Sequence, residues 1–181
     1  MISEHLIKNC ISRDYKAQEE LYKLYSPKLF AVCLKYSRNY VEAQDNLQEA
    51  FLLIFEKIHT YSFKGSFDGW IKKVVINYVL QQYRSQSFLN VLSDDVPDND
   101  VEVLFDDGIS VEFLTKIVQD LPDRYRLVFN LYVFDNYSHL EISSALGISV
   151  GSSKSNLARA RAILKDKIES TTGSKKRPNI Q

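Results

Sequence analysis

The chain has 181 residues, of which 45% are hydrophobic and 25% are charged, and its formal net charge at pH 7 is zero. This composition is typical of a globular protein and excludes a wholly disordered chain, and the length suffices for one domain with a core or two small domains. The chain shows no basic stretch followed by an apolar run, and no segment approaches the roughly 18 apolar residues of a membrane span. We therefore expect a cytoplasmic protein without direct membrane insertion.

The zero net charge conceals an uneven distribution of charged residues. Residues 1–84 hold 12 basic and 9 acidic side chains, residues 85–121 hold 1 and 9, and residues 122–181 hold 10 and 5. The net charges of the three blocks are therefore +3, −8 and +5. Because two basic blocks flank an acidic one, the distribution of charge says more about binding partners than the net charge does. The basic blocks leave nucleic acid open as a partner.

Apolar residues recur at spacings of three and four along most of the chain, while glycine is scarce and strand-like alternation is rare. This pattern predicts an all-α fold. In the first predicted domain, residues 1–86, Pro27 predicts that one helix ends and another begins. Further helices are predicted over residues 41–58 and 68–84.

The helical pattern stops at residues 93–108, which carry seven acids, no base and a proline. Such a segment predicts a flexible acidic linker, placed over residues 87–109, although it could equally be a solvated tether without a further role. A second small helical domain is predicted over residues 110–170. The last residues, 171–181, are predicted to form a disordered tail.

Residues 137–165 have the pattern of a helix-turn-helix. Ser138 and Glu141 form a predicted capping box at the start of the first helix, because a serine is followed three residues later by a glutamate. Gly147 is suited to the tight turn, and Ser149 is suited to cap the second helix. From spacing alone, a helical hairpin that binds no ligand remains an alternative.

The first turns of the last helix consist of small, polar residues. Burial of such residues contributes little to a core, so packing within the protein does not explain them. A helix that enters the major groove of DNA by its N-terminal turns needs small residues there, so that its backbone can approach the duplex. Asparagine and lysine can bond base edges, while arginine and serine can hold phosphates. Arg161 lies nearer the apolar side of the helix. It is therefore expected to contact a phosphate or to have a structural role, and not to read a base. The candidate DNA-binding residues are Ser152, Lys154, Ser155, Asn156, Arg159 and Arg161.

The runs "LPDRYRLVFNLYVFDNYSHLEISSALGIS" and "GSSKSNLARARAIL" resemble region 4 of bacterial sigma factors of the extracytoplasmic-function (ECF) class. The sequence departs from that pattern at Ser153, where valine is common, and at Asn156, where arginine is common. Ser153 is expected to point toward the apolar side of its helix. The resemblance implies that this domain reads the minus-thirty-five promoter element and contacts the flap of the second-largest polymerase subunit.

The run "VEAQDNLQEAFLLIFEKI" resembles region 2 of the same class. Asp45, Gln48 and Glu49 match the polar positions that dock on the clamp helices of the largest polymerase subunit. Their spacing places them on one helix face, away from Leu47 and Phe51. Without the resemblance, the same pattern would equally describe a solvated face.

The run "YSFKGSFDGWIKKVVINYVLQQYR" places aromatic residues beside cations, as a surface for unstacked single-stranded DNA requires. Aromatic residues at helical spacing also form cores, and Trp70 could serve as either. The resemblance implies that this run captures a flipped base and faces the minus-ten element. The candidate residues are Tyr61, Phe63, Lys64, Gly65, Ser66, Phe67, Trp70, Lys73 and Asn77.

The resemblance predicts a sigma factor whose partners are core RNA polymerase, promoter DNA and an anti-sigma factor. The histidines are scattered and no glycine-rich phosphate loop occurs, so we expect no enzyme, no metal and no cofactor. The two cysteines lack metal-ligand spacing and are expected to be reduced. Two alternatives remain: a helix-turn-helix regulator with an unrelated N-terminal domain, and a polymerase-binding module without DNA readout.

Overall fold

The computed structural model describes residues 2–87 and 110–175, which form two compact units that are described separately. Every regular element in these two ranges is helical, and the predicted all-α class is confirmed. None of these helices combines the length and the apolar character needed to cross a membrane.

The first unit contains α1 (Glu4–Ile11), α2 (Tyr15–Tyr36), α3 (Tyr40–Lys57), a 3₁₀ turn (Ile58–Thr60) and α4 (Phe67–Ser87). Helix α2 is central and contacts α1, α3 and α4. The first three helices begin at side-chain caps, where Ser3, Asp14 and Asn39 accept hydrogen bonds from backbone N–H groups of the first turn at 3.2, 2.8 and 2.9 Å. These caps satisfy donors that a helix leaves unpaired, and they fix where each helix begins.

Helix α2 continues through Pro27, so the predicted break at that proline is wrong. Proline in a helix interior costs about 3 kcal/mol because it removes one backbone hydrogen bond and crowds the preceding turn. Burial of one apolar side chain stabilises a fold by about 1.5–3 kcal/mol. Helix α2 buries several such side chains on one face, before and after the proline, and their burial offsets this cost. The buried residues of that face are Ala17, Leu21, Tyr25, Leu29, Val32, Cys33 and Tyr36.

The second unit contains α5 (Val111–Gln119), α6 (Asp123–Phe129), a π-helical segment (Asn130–Phe134), α7 (His139–Leu146) and α8 (Val150–Lys175). Helix α8 contacts α5, α6 and α7. It continues to Lys175, past residue 170, where the tail was predicted to begin. The predicted linker from residue 88 onward and the tail from residue 176 lie outside the described residues.

Arg126 fixes the turn between α5 and α6. Its side chain is buried, and it donates hydrogen bonds to the carbonyl oxygens of Gln119 and Leu121 at 3.0 and 2.9 Å. It also forms an ion pair with Asp123 at 2.6 Å. Carbonyl groups at the end of a helix lack helical partners, and the buried guanidinium of Arg126 supplies hydrogen bonds to two of them. These bonds hold α6, which packs against α8, in place.

Candidate nucleic-acid interface

The helix-turn-helix consists of α7, the turn at Gly147 and the start of α8, as predicted. Ser138 and Glu141 form the capping box, with Glu141 accepting from the backbone N–H of Ser138 at 2.8 Å. Gly147 adopts φ +68°, a left-handed conformation that favours glycine. Ser149 accepts from the N–H of Ser152 at 2.9 Å and so caps α8.

The first turns of α8 leave a small polar surface open to solvent. Ser152 and Lys154 are exposed, and Ser155 and Asn156 are partly exposed. The hydroxyl of Ser155 donates to the carbonyl oxygen of Ser152 at 3.2 Å, which keeps that side chain close to the helix. Farther along, buried Leu157, Leu164 and Ile168 anchor α8 to the core. The start of α8 is therefore small and polar enough to approach another surface closely.

The two candidate arginines of α8 both rest against tyrosines of the same unit. The guanidinium of Arg159 lies 5.9 Å from the ring centroid of Tyr125 on α6, and that of Arg161 lies 5.9 Å from the ring centroid of Tyr132 in the π-helical segment. Arg159 also donates a hydrogen bond to the hydroxyl of Tyr125. Both arginines are partly exposed, so these contacts hold their side chains in place without burying them.

His139 makes a contact that sequence reasoning missed. Ser153 is fully buried, as its predicted position toward the apolar side requires, and its Oγ lies 2.9 Å from Nδ1 of His139. The His139 ring stacks on the ring of Tyr132, with centroids 4.6 Å apart and planes inclined by 22°. The sequence signal was the serine at a position where valine is common, but nothing local identified its partner fourteen residues earlier.

Helix α3 presents the predicted polar face to solvent. Asp45, Gln48 and Glu49 are exposed. Val41 and Leu52, each with 65% of its surface exposed, lie on the same side of the helix at spacings of three and four. We call Val41, Asp45, Gln48, Glu49 and Leu52 the α3 stripe.

The α3 stripe is bordered by α4 on one side and by a groove on the other. Helix α4 packs against α3. Burial raises the pKa of Tyr78 on α4, and the charges of Glu49, Cys33 and Asp45 raise it further. Between α2 and α3 lies an open groove of about 290 Å³, to which Gln48 contributes. The groove is lined by Tyr22, Ser26, Pro27, Phe30, Tyr40, Gln44, Leu47 and Gln48.

The aromatic turn before α4 separates into buried supports and exposed residues. Tyr61 and Phe67 are buried, and the Tyr61 hydroxyl donates to the carbonyl oxygen of Gly65 at 2.8 Å. Gly65 adopts φ +87°, and Phe63 adopts φ +57°, which is unusual for an aromatic residue. Phe63, Lys64, Gly65 and Ser66 are exposed. Tyr61 thus holds the shape of a turn whose tip faces solvent.

Helix α4 extends this exposed surface from the aromatic turn. Trp70 is partly exposed and stacks on buried Phe67, with ring centroids 5.5 Å apart. Lys73 and Asn77 are exposed and follow Trp70 at spacings of three and four, on the same helix face. The ammonium of Lys8 on α1 lies 5.7 Å from the centroid of the Phe63 ring. Aromatic rings and cations are thereby brought together at one edge of the unit.

The described residues present no cluster of three or more histidine, cysteine, aspartate or glutamate side chains that could hold a metal ion. Both cysteines are buried and free.

The described residues thus form two helical units, and the second contains a helix-turn-helix, a motif that many DNA-binding proteins use. The family model of sigma-70 region 2 matches residues 21–88, and that of sigma-70 region 4 matches residues 114–164. The chain belongs to the ECF sigma factors of the sigma-70 family. Members of this family bind core RNA polymerase and direct transcription initiation; they are initiation factors and not catalytic enzymes by family.

Similar proteins span most of the chain. The ECF RNA polymerase sigma factor SigW of Bacillus subtilis is 26% identical over 93% of this chain and 97% of its own length. The RNA polymerase sigma-E factor of Streptomyces avermitilis is 30% identical over 72% of this chain and 73% of its own. The region 2 match argues against a regulator with an unrelated N-terminal domain.

The fold also has a counterpart among solved structures. The sigma factor RpoE, solved in complex with the anti-sigma factor NepR from Bartonella quintana, superposes with a TM-score of 0.53 at 18% identity. The match covers 83% of this chain and 96% of that one. At this identity the similarity concerns the fold.

Proposed function

We propose that the two units of this ECF sigma factor divide promoter recognition between them. The unit predicted over residues 1–86 docks on the polymerase clamp helices and holds the minus-ten region. The unit predicted over residues 110–170 reads the minus-thirty-five element and contacts the polymerase flap. The observation that carries this proposal is the exposed, small and polar start of α8 in a capped helix-turn-helix.

In the second unit, the start of α8 is assigned to the major groove. The small side chains of Ser152 and Ser155 let the helix approach the duplex, while Lys154 and Asn156 reach base edges. Arg159 lies farther along α8 and is assigned to a base edge or a phosphate, and Arg161 is assigned to a phosphate or to a structural role. Basic residues dominate this block of the chain, which carries a net charge of +5 over residues 122–181.

In the first unit, the aromatic turn is assigned to the unpaired strand. Flipping a base costs a few kcal/mol, which stacking and hydrogen bonds must recover. Phe63, Lys64, Gly65 and Ser66 offer an exposed ring, a cation and a polar turn for this purpose, supported from below by Tyr61 and Phe67. Trp70, Lys73 and Asn77 continue the surface along α4.

The α3 stripe is assigned to the clamp helices of the largest polymerase subunit. Its polar centre supplies directional hydrogen bonds and charge, and its exposed Val41 and Leu52 supply apolar area that water disfavours. Because RpoE of Bartonella quintana was solved with an anti-sigma factor, we propose that an anti-sigma factor covers polymerase-binding surfaces of this protein too. The acidic linker predicted over residues 87–109 would be attracted electrostatically to basic polymerase surfaces that bind nucleic acid. Since polymerase and promoter DNA occupy the cytoplasm, we expect the protein to act there.

The direct test is run-off transcription with purified core polymerase and promoters selected from a randomised library. The wild-type protein should produce specific starts, and Lys154→Ala should reduce those that depend on a minus-thirty-five element. Lys165→Ala is the matched control, because Lys165 is exposed on the same helix beyond the reading turns. Absence of specific starts with the wild-type protein would overturn the proposal.

A second arm separates the two units. Lys64→Ala should weaken promoter opening while leaving preference for the minus-thirty-five element intact. If Lys64→Ala reduced promoter opening and the preference for the minus-thirty-five element equally, the assignment of separate roles to the two units would be contradicted.

A further inference from the structure

We propose that His139 is a positioning residue for promoter recognition, which sets the orientation of the DNA-reading start of α8 through Ser153. This inference rests on the proposed minus-thirty-five role of α8. It concerns a residue that touches no DNA in the proposed arrangement and that acts through its neighbour.

The contact lies at the point where orientation matters. Ser153 is in the first turn of α8, between exposed Ser152 and Lys154. Its own side chain is fully buried and points in the opposite direction, toward Nδ1 of His139 at 2.9 Å. A rotation of this turn would break the bond and leave a buried hydroxyl without its partner, which is unfavourable. The bond therefore resists the same motion that would carry Ser152 and Lys154 away from the groove.

His139 is itself held from two directions. It is the first residue of α7, directly after the capping residue Ser138, so its backbone is fixed by the capping box. Its ring stacks on Tyr132 at a centroid distance of 4.6 Å. Because His139 is held in this way, it can fix the position of Ser153, as supporting residues around a binding site must do.

The same tyrosine connects His139 with a second point on α8. Arg161 lies 5.9 Å from the centroid of the Tyr132 ring. Ser153 and Arg161 are eight residues apart, about two turns of an α-helix. Tyr132 and His139 thus contact α8 at two positions along its axis, Arg161 and Ser153. Two contacts fix the rotation of a helix about its axis better than one.

Either protonation state of the histidine can form the bond. When Nδ1 carries no proton it accepts from the serine hydroxyl, and when it is protonated it donates to the serine oxygen. The geometry of the pair, rather than one tautomer, is what the proposal requires.

The experiment compares two substitutions that divide the functions of the imidazole. His139→Asn keeps a polar atom close to the place of Nδ1 and removes the ring, whereas His139→Phe keeps a stacking ring and removes the nitrogen. Ser153→Ala removes the partner oxygen with little change in volume. Holoenzyme reconstituted with each full-length variant is assayed on a promoter selected with the wild-type protein and on the same promoter with its minus-thirty-five element replaced.

The readout is the ratio of the affinities for the two promoters. His139→Phe and Ser153→Ala should each lower this ratio by about 2- to 10-fold, the effect of one hydrogen bond. The double variant should be no worse than either single one, because the two share one interaction. His139→Asn should retain most of the ratio.

Thermal unfolding of the same proteins distinguishes positioning from stability alone. If His139→Phe and Ser153→Ala lower the melting temperature but leave the promoter ratio unchanged, the proposal is wrong. It is also wrong if His139→Asn loses as much of the ratio as His139→Phe. A wild-type holoenzyme that shows no preference for the intact element refutes the proposed function itself, and this inference with it.

Discussion

Arg159 on α8 donates a hydrogen bond to the hydroxyl of Tyr125 on α6, with 2.9 Å between the nitrogen and the oxygen. The guanidinium also lies 5.9 Å from the centroid of the Tyr125 ring. A long, flexible side chain is therefore ordered before any DNA is present, while part of its surface stays open to solvent. Such ordering lowers the entropic cost that binding would otherwise carry.

Arg159→Ala should weaken binding of the holoenzyme to a promoter with an intact minus-thirty-five element, by about 1–3 kcal/mol if the arginine reads a base edge. If it contacts a phosphate instead, the loss should be similar for all sequences and the salt dependence should become shallower. Affinity measured at several salt concentrations distinguishes the two roles. Tyr125→Phe keeps the ring and removes the hydroxyl, so its effect should have the same sign and be smaller. Unchanged binding by Arg159→Ala would remove this residue from the interface.

Local signals in the sequence predicted the helix-turn-helix in detail. Ser138, Glu141 and Gly147 occupy the predicted roles because capping and left-handed turns depend on residues only a few positions apart. Pro27 misled for the complementary reason. Its local cost is real, but it is outweighed by a buried face that forms only when α2 packs against three other helices.

Partners distant in sequence are the part of the candidate site that periodicity could not supply. The helical pattern placed Arg161 toward the apolar side but could not identify Tyr132 as the ring beside it. It likewise grouped Tyr61 with Phe63, although one is buried and the other exposed. A period of 3.6 residues assigns a side chain to a face, whereas tertiary packing decides what covers that face.

The α3 stripe yields a prediction on polymerase binding. Combined replacement of Asp45, Gln48 and Glu49 by alanine should abolish co-purification with core polymerase, because these side chains are exposed and supply its polar centre. Helical content measured by circular dichroism should stay unchanged, since alanine favours helix and none of the three is buried. The matched control is Glu19→Ala with Glu20→Ala, which removes the same negative charge from exposed positions of α2. Co-purification of the triple variant at the wild-type level would reduce the stripe to a solvated face.

The hydrogen bond from Tyr61 to Gly65 yields a prediction on promoter opening. Tyr61→Phe should leave the aromatic packing in place and loosen the turn that presents Phe63 and Lys64, because the 2.8 Å bond is lost. The expected result is slower opening of the minus-ten region by the holoenzyme, measured by the reactivity of unpaired thymines toward permanganate. Tyr15→Phe is the control, since Tyr15 is 86% exposed at the start of α2. If both variants open the promoter at the wild-type rate, the bond has no part in shaping the turn for DNA.

The two cysteines yield a prediction on pH dependence. Burial raises the pKa of the Cys33 thiol to about 12. Burial, with the nearby charges of Asp14 and Glu20, raises the pKa of the Cys10 thiol to about 11. In the unfolded chain both thiols lose their protons near pH 8.5, so above that pH the folded state binds more protons than the unfolded state. The free energy of unfolding should therefore fall as the pH rises from about 8.5 toward 11.

Denaturant titrations across this pH range measure the fall, and Cys33→Ala should make it shallower by removing one of the two groups. At pH 7.5 neither thiol should react with a disulfide reagent until the chain is denatured, because the buried thiols stay protonated and covered. Rapid reaction of a cysteine in the native protein would show that its helix opens locally, and the single variants would identify which one.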